Sequence, residues 1–144
     1  MGDTRRPCAQ DSGTLEREND VSSVLIIDDE KNIRELFSEA LEDAGYDVHL
    51  APDGDSGIRA FDRHAPDVVI VDVFMPKKDG IETILEISLR KTQARIIAIS
   101  GGGFSQNFQF LDMTQRLGAD VMLYKPVLPD KLVACVDELI SRSG

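Results

Sequence analysis

Four apolar runs in this chain each stop on a polar residue. Val24-Leu25-Ile26-Ile27 ends in Asp28-Asp29, and Val68-Val69-Ile70-Val71 ends in Asp72. Ile96-Ile97-Ala98-Ile99 ends in Ser100, and Val121-Met122-Leu123 passes through Tyr124 into Lys125-Pro126. Runs this short, rich in β-branched residues and apolar at successive positions, need cover on both faces, which is the situation of strands in a parallel sheet. In open sheets of that kind the ligand site lies beyond the carboxyl ends of the strands. Three carboxylates, a hydroxyl and an ammonium are therefore expected to converge at one rim. That set suits a divalent cation and a phosphoryl group.

The segments between the runs carry helical spacing. Ile33, Leu36, Phe37, Ala40, Leu41 and Ala44 form an amphipathic stripe closed by Gly45. Residues 46–51 read as a short second strand, Pro52-Asp53-Gly54 as a turn, and residues 55–64 as a second helix carrying Ile58, Ala60 and Phe61. Asp79-Gly80 leads into a third helix with Ile81, Ile84, Leu85 and Leu89 on one face. Gly101-Gly102-Gly103 opens a flexible connection. A fourth helix follows around residues 107–117, where Phe104, Phe108, Leu111 and Leu117 compete with Phe110 and Met113 for the core face, and Gly118 ends it. Pro129 starts a last helix burying Leu132, Cys135, Val136, Leu139 and Ile140. Five strands alternating with five helices, joined by right-handed crossovers, predict a doubly wound five-stranded parallel sheet in a flavodoxin-like three-layer α/β sandwich. With strand order 2-1-3-4-5, the first and third strands are neighbours at the switch point. Residues 1–21 hold few large apolar groups and are expected to be a flexible tail, leaving one domain over residues 22–144.

Composition narrows the function. A chain of 144 residues, 42% hydrophobic, suffices for one domain with a real core. A net charge of -10 argues against direct binding of nucleic acid, which needs clustered Lys and Arg. No apolar run approaches the roughly 20 residues of a membrane span. Arg5-Arg6 precedes no apolar segment, and Arg6 breaks the myristoylation pattern that Gly2 would begin. Cys8 and Cys135 suggest neither a disulfide framework nor a metal spacing, so a reducing cytoplasm is the expected location.

Asp28 and Asp29 leaving the first strand and Asp72 leaving the third would crowd together. Such crowding is unfavourable unless a cation relieves it. An all-oxygen cluster suits Mg²⁺, which often shares a phosphate ligand. Lys125 adds a positive charge and Ser100 a small hydroxyl donor. Any one of these residues alone reads as a helix cap, turn or surface residue; their combination and order carry the signal. His49 and His64 lie at no strand's carboxyl end and are expected to be structural or exposed.

Together these residues resemble the receiver domain of bacterial response regulators over roughly residues 22–141. The matching pieces are Asp28-Asp29, Asp72-Val73-Phe74-Met75-Pro76, Asp79-Gly80, Ser100, Gly118-Ala119-Asp120 and Lys125-Pro126. The resemblance implies that Asp72 is a phosphoacceptor, taking a phosphoryl group from a phosphohistidine on a sensor histidine kinase or histidine phosphotransfer protein. Asp28, Asp29 and Asp72 would hold Mg²⁺, Ser100 would hydrogen-bond the new phosphoryl group, and Lys125 would pair with it. Lys125-Pro126 would carry a cis peptide bond. The output would be a shift of the fourth helix and fifth strand towards an unnamed protein target, with the outer faces of the last two helices as docking surface. Such a module assists its own phosphorylation and dephosphorylation rather than turning over a metabolite.

Some positions depart from the family's habit. Met122 stands three residues before Lys125, where an aromatic residue is usual; Tyr124 is expected on the opposite sheet face. Phe74 is apolar where many relatives are polar. The stretch from Ser100 to Gly118 is longer than usual. A chain complete at Gly144 is expected to act by protein contact, and a fragment to lack a domain that binds DNA or does chemistry. Competing readings are a small phosphatase using an aspartyl-phosphate intermediate, a flavin-binding flavodoxin-like protein, and a receiver-like scaffold that is never phosphorylated. Phe74 weakens the first, the acidic loop Asp28-Asp29-Glu30 the second, and the intact Asp72 and Lys125 the third.

Overall fold

Side chains on a strand alternate between faces, and here the alternation sorts the core into two halves. A computed structural model describes residues 21–73, 80–90, 92–101 and 114–143. The strands are β1 (Ser23–Ile27), β2 (Asp47–Ala51), β3 (Val68–Asp72), β4 (Arg95–Ser100) and β5 (Val121–Tyr124). The helices are α1 (Lys31–Asp43), α2 (Gly54–His64), α3 (Gly80–Leu89), a helical stretch at residues 114–116 (α4) and α5 (Pro129–Ser143). All neighbouring strands are parallel, in the expected order β2-β1-β3-β4-β5.

Leu25, Ile27, Val69, Val71, Ile96 and Ala98 project to one side, where Ile58 and Phe61 of α2 and Ile84 and Ile87 of α3 cover them. Val24, Ile26, Val68, Ile70, Ile97 and Ile99 project to the other, beneath Phe37 and Leu41 of α1 and Leu132, Val136 and Leu139 of α5. Each such side chain contributes about 1.5–3 kcal/mol by leaving water. The sheet is thereby pinned between two helical layers, and its rim is held where the apolar runs end.

Several local expectations shift. The second strand begins at Asp47 rather than at residue 46. The second helix begins one residue early, at Gly54, because Asp53 caps it: Asp53 Oδ1 accepts from the Ser56 amide at 2.8 Å, and Ser56 Oγ accepts from the Asp53 amide at 3.4 Å. The buried face of α3 is rotated from the expected one. Gly80, Thr83, Ile84 and Ile87 are buried, whereas Leu85 and Leu89 face solvent. Leu36 of α1 is likewise exposed. Tyr124 was expected opposite Met122, but residues two apart on a strand share a face. Val121 and Leu123 pack with the α1/α5 side and Met122 with the α2/α3 side, so Tyr124 lies on Met122's side. The tail before Val21, Phe74 and most of the fourth-helix region lie outside the described residues.

Candidate functional site

The sheet's hydrogen bonding runs past the strand ends and fixes the rim. The Asp28 amide donates to the Ala51 carbonyl at 3.1 Å, Val73 to Ile99 at 3.0 Å, and Lys125 to Ser100 at 2.8 Å. Those bonds hold Asp28, Asp72, Ser100 and Lys125 at one end of the molecule. Asp28, Asp29 and Asp72 each turn a carboxylate oxygen to within 4.8 Å of the others. Asp28 and Asp72 are buried, at 2% and 4% exposure, while Asp29 faces solvent. The Lys125 ammonium lies 3.3 Å from Asp72 Oδ2 and 3.5 Å from Glu30 Oε1. The peptide bond between Lys125 and Pro126 is cis, as the resemblance implied.

Burial disfavours a charge on Asp28 and pushes its pKa from 3.8 up to about 6. The Glu30 amide, bonded to Asp28 Oδ1 at 2.9 Å, and Lys125 pull it down; Asp72 and Asp29 push it up. Burial alone would lower the Lys125 pKa, but Asp72, Asp28 and Glu30 together outweigh it and hold the ammonium above its usual value. Lys125 is therefore a firm cation, yet it faces a group of acids that outnumbers it. All the donors are oxygens, so the cluster fits a hard divalent ion such as Mg²⁺.

Ser100 adds an independent sign. Its hydroxyl is fully buried and, among the described residues, has no hydrogen-bond partner. A buried hydroxyl left unpaired costs about 1–3 kcal/mol, and such a cost in a folded protein calls for an explanation. A donor poised for an incoming acceptor oxygen supplies one.

Two glycines shape the rim. A β-carbon on Gly80 would fall inside the contact radius of the Asp72 carbonyl oxygen and of Val73 Cα, and the Gly80 amide donates to Val73 at 3.2 Å. A β-carbon on Gly101 would sit 3.1 Å from Lys125 Cδ. Gly80 thus lets α3 start directly against the backbone that carries Asp72. The variant Gly80→Ala must push that backbone aside. We expect a loss of roughly 2–4 kcal/mol, the range of severe packing defects, read as a lower midpoint in urea unfolding. An unchanged midpoint would refute this reading of Gly80.

All five expected site residues meet at this rim. Sequence reasoning missed Glu30 as a partner of Lys125, Arg34 as a donor to the Asp28 carbonyl at 2.7 Å, and Gly80 as a spacer. Arg34 lies six residues from Asp28, across the turn between β1 and α1, so no helical spacing announced that contact.

Comparison with known proteins follows the same lines. The family model described as "Response regulator receiver domain" matches residues 24–137. The chain is 32% identical over 120 residues to the alkaline phosphatase synthesis transcriptional regulatory protein PhoP of Bacillus subtilis, covering 83% of this chain and 49% of that protein. It is 35% identical over 124 residues to the transcriptional regulatory protein CpxR of Escherichia coli, covering 85% and 51%. The chain thus spans about half the length of these curated relatives. Among solved structures, a response regulator receiver domain protein from Clostridium thermocellum superposes with a TM-score of 0.76 at 30% identity, covering 85% of this chain and 97% of that one. The receiver domain of the Francisella response regulator 1452 superposes at 0.78 with 26% identity, covering 85% and 99%.

Proposed function

The chain belongs to the response regulator receiver domain family, a family of phosphoacceptor signalling modules, and on that premise we propose that Asp72 is its phosphoacceptor. The observation that carries the assignment is the pairing of buried Asp72 with the Lys125 ammonium at 3.3 Å, inside a cluster of acids fit for Mg²⁺. An Asp72 carboxylate oxygen attacks phosphorus of a phosphohistidine, the bond from phosphorus to the imidazole nitrogen breaks, and the donor histidine keeps the electron pair. Asp28, Asp29 and Asp72 would hold Mg²⁺, which when bound offsets negative charge on the phosphoryl oxygens. Lys125 stabilises charge on the transferring group, and phosphoryl transfer depends mainly on such alignment and charge stabilisation. Ser100 donates its free hydroxyl to a phosphoryl oxygen of the product.

The product replaces the single charge of the Asp72 carboxylate by a phosphoryl group carrying roughly 1.5–2 negative charges, where Lys125 was shared with Asp72 and Glu30. Lys125 and Ser100 respond, and both lie on the edge of the sheet that leads into β5 and the β4–β5 connection. Their movement turns a local charge into a change of surface. The donor is a sensor histidine kinase or a histidine phosphotransfer protein, and the target is a protein reached through that surface. The same site assists hydrolysis of the acyl phosphate. Among the described residues no helix is long and apolar enough to cross a membrane.

The test is a phosphorylated kinase or acetyl phosphate with Mg²⁺, read by intact mass. One phosphate-sized gain, absent when the divalent ion is chelated, is the expected result. Continuous turnover of a small phosphate ester without a labelled protein would favour a phosphatase instead.

The raised pKa of Asp28 sets a pH dependence. Below about pH 6 Asp28 is neutral in the folded protein, and a cation must displace its proton. Mg²⁺ affinity should therefore rise with pH through about 6 and level off above it. Without Mg²⁺ the folded state holds this proton more tightly than the unfolded chain does. Stability should then fall as pH rises from about 4 to about 6. Thermal unfolding at pH 5 and pH 7.5, with and without Mg²⁺, measures both trends; a Mg²⁺-induced Tm gain equal at the two pH values would contradict the first.

A further inference from the structure

Glu30 stands at the N-cap of α1, yet its side chain makes no capping hydrogen bond. Caps are ordinarily short polar side chains that turn back onto the first helical amides. The Glu30 carboxylate instead reaches across the rim, where Oε1 lies 3.5 Å from the Lys125 ammonium. Its backbone serves the turn and the helix. The amide donates to Asp28 Oδ1 at 2.9 Å, and the carbonyl accepts from the Arg34 amide at 3.0 Å. Those are main-chain bonds that any residue but proline supplies. What the glutamate side chain itself adds is a second carboxylate for Lys125.

Resting on the reading of Asp72 as phosphoacceptor, we infer that Glu30 is a positioning residue: it restrains Lys125 and so holds down the rate of phosphoryl transfer. The ammonium has a buried partner, Asp72 at 3.3 Å, and an outer one, Glu30, whose side chain is 61% exposed. Transfer requires the ammonium to meet the phosphoryl oxygens as they arrive. The contact with Asp72 leads into that event, because Asp72 receives the group. The contact with Glu30 draws the ammonium towards solvent and has to be broken. Glu30 is not needed to keep Lys125 in place. Asp72 holds the head, and the stem lies against Gly101, where a β-carbon would come within 3.1 Å of Lys125 Cδ. Loss of the Glu30 charge therefore frees the ammonium rather than misplacing it. The glutamate also carries negative charge at the mouth of the site, and that direct repulsion acts whether or not Lys125 is present. Removing the lysine separates the two effects.

The test compares initial rates of labelling by acetyl phosphate at saturating Mg²⁺, read by intact mass, in the parent, Glu30→Gln, Lys125→Met and the double variant. Glu30→Gln should label roughly 2–5-fold faster than the parent at low ionic strength, the scale of an exposed ion pair. The gain should shrink at about 1 M salt, where charges are screened within about 3 Å. Tm should not change, because glutamine keeps both main-chain bonds. In the Lys125→Met background the same substitution should give no gain, which is the signature of two residues acting through one contact. An equal or slower rate for Glu30→Gln overturns the inference. So does a gain that persists in full without Lys125, since repulsion of the incoming phosphate would then explain it. A rate change that ignores salt and comes with a lowered Tm also overturns it, and returns Glu30 to the start of the helix. A parent that takes no label overturns the phosphoacceptor reading and this inference with it; a labelled parent with an unresponsive Glu30→Gln overturns the inference alone.

Discussion

Asp72→Asn should abolish labelling by acetyl phosphate while leaving the fold intact. The amide keeps the shape of the carboxylate but is a far weaker nucleophile, and it forms no stable acyl phosphate. The site also loses one of its clustered charges. Asp72 is buried and raises the pKa of Asp28 by its charge, so its removal relieves repulsion between close acids. Lys125 keeps Glu30 as a partner at 3.5 Å and is not left unpaired. The Mg²⁺-free variant should therefore unfold at the same temperature as the parent or somewhat higher, while the mass gain disappears. This pairing of outcomes separates a lost acceptor from a damaged protein. Equal labelling of parent and variant would remove Asp72 from its role and send the search to Asp28 or Asp29. A loss of labelling accompanied by a collapse in Tm would show that Asp72 serves the fold instead.

How far the sequence led depended on which pattern each residue belonged to. The strand ends were legible because Val24–Ile27, Val68–Val71 and Ile96–Ile99 are apolar on both faces, a demand that only a covered sheet meets. The rim followed from the ends. The face of α3 was not legible. Leu85 and Leu89 fit a helical stripe as well as Ile87 does, and only the fit of Ile84 and Ile87 against the sheet chose between them. Periodicity reports that a helix has an apolar face and not which of two overlapping faces wins. Position and resemblance led to the expectation that Asp28, Asp29, Asp72 and Lys125 lie together, and their side chains do. The contact between Glu30 and Lys125 joins residues with four strands between them in the chain, and nothing local announces it. Nor does sequence show that the Ser100 hydroxyl is buried with no partner among the described residues, since that depends on what the neighbouring strands offer. The stacking of His49 on His64 belongs to the same class: each reads as unremarkable in its own element.

Lys125→Met should slow labelling by about 10²–10³-fold, the usual effect of removing a group that stabilises charge in the transition state, without weakening Mg²⁺. Methionine keeps most of the stem that lies against Gly101, where a β-carbon would come within 3.1 Å of Lys125 Cδ, so packing is largely preserved. What disappears is one positive charge 3.3 Å from Asp72. That charge has two opposed effects in the resting protein. It lowers the pKa of Asp28, which favours the ligating form, and it repels an arriving cation. Well above the Asp28 pKa of each protein only the repulsion is felt, and Mg²⁺ affinity there should be unchanged or higher in the variant. Below about pH 6 the order reverses, because the variant's Asp28 holds its proton to higher pH. Lys125→Arg, which restores charge on a bulkier head, should recover part of the rate. The argument fails if Lys125→Met loses Mg²⁺ affinity at pH 7.5 in step with its labelling rate, for then Lys125 would be organising the acids rather than meeting the phosphoryl group.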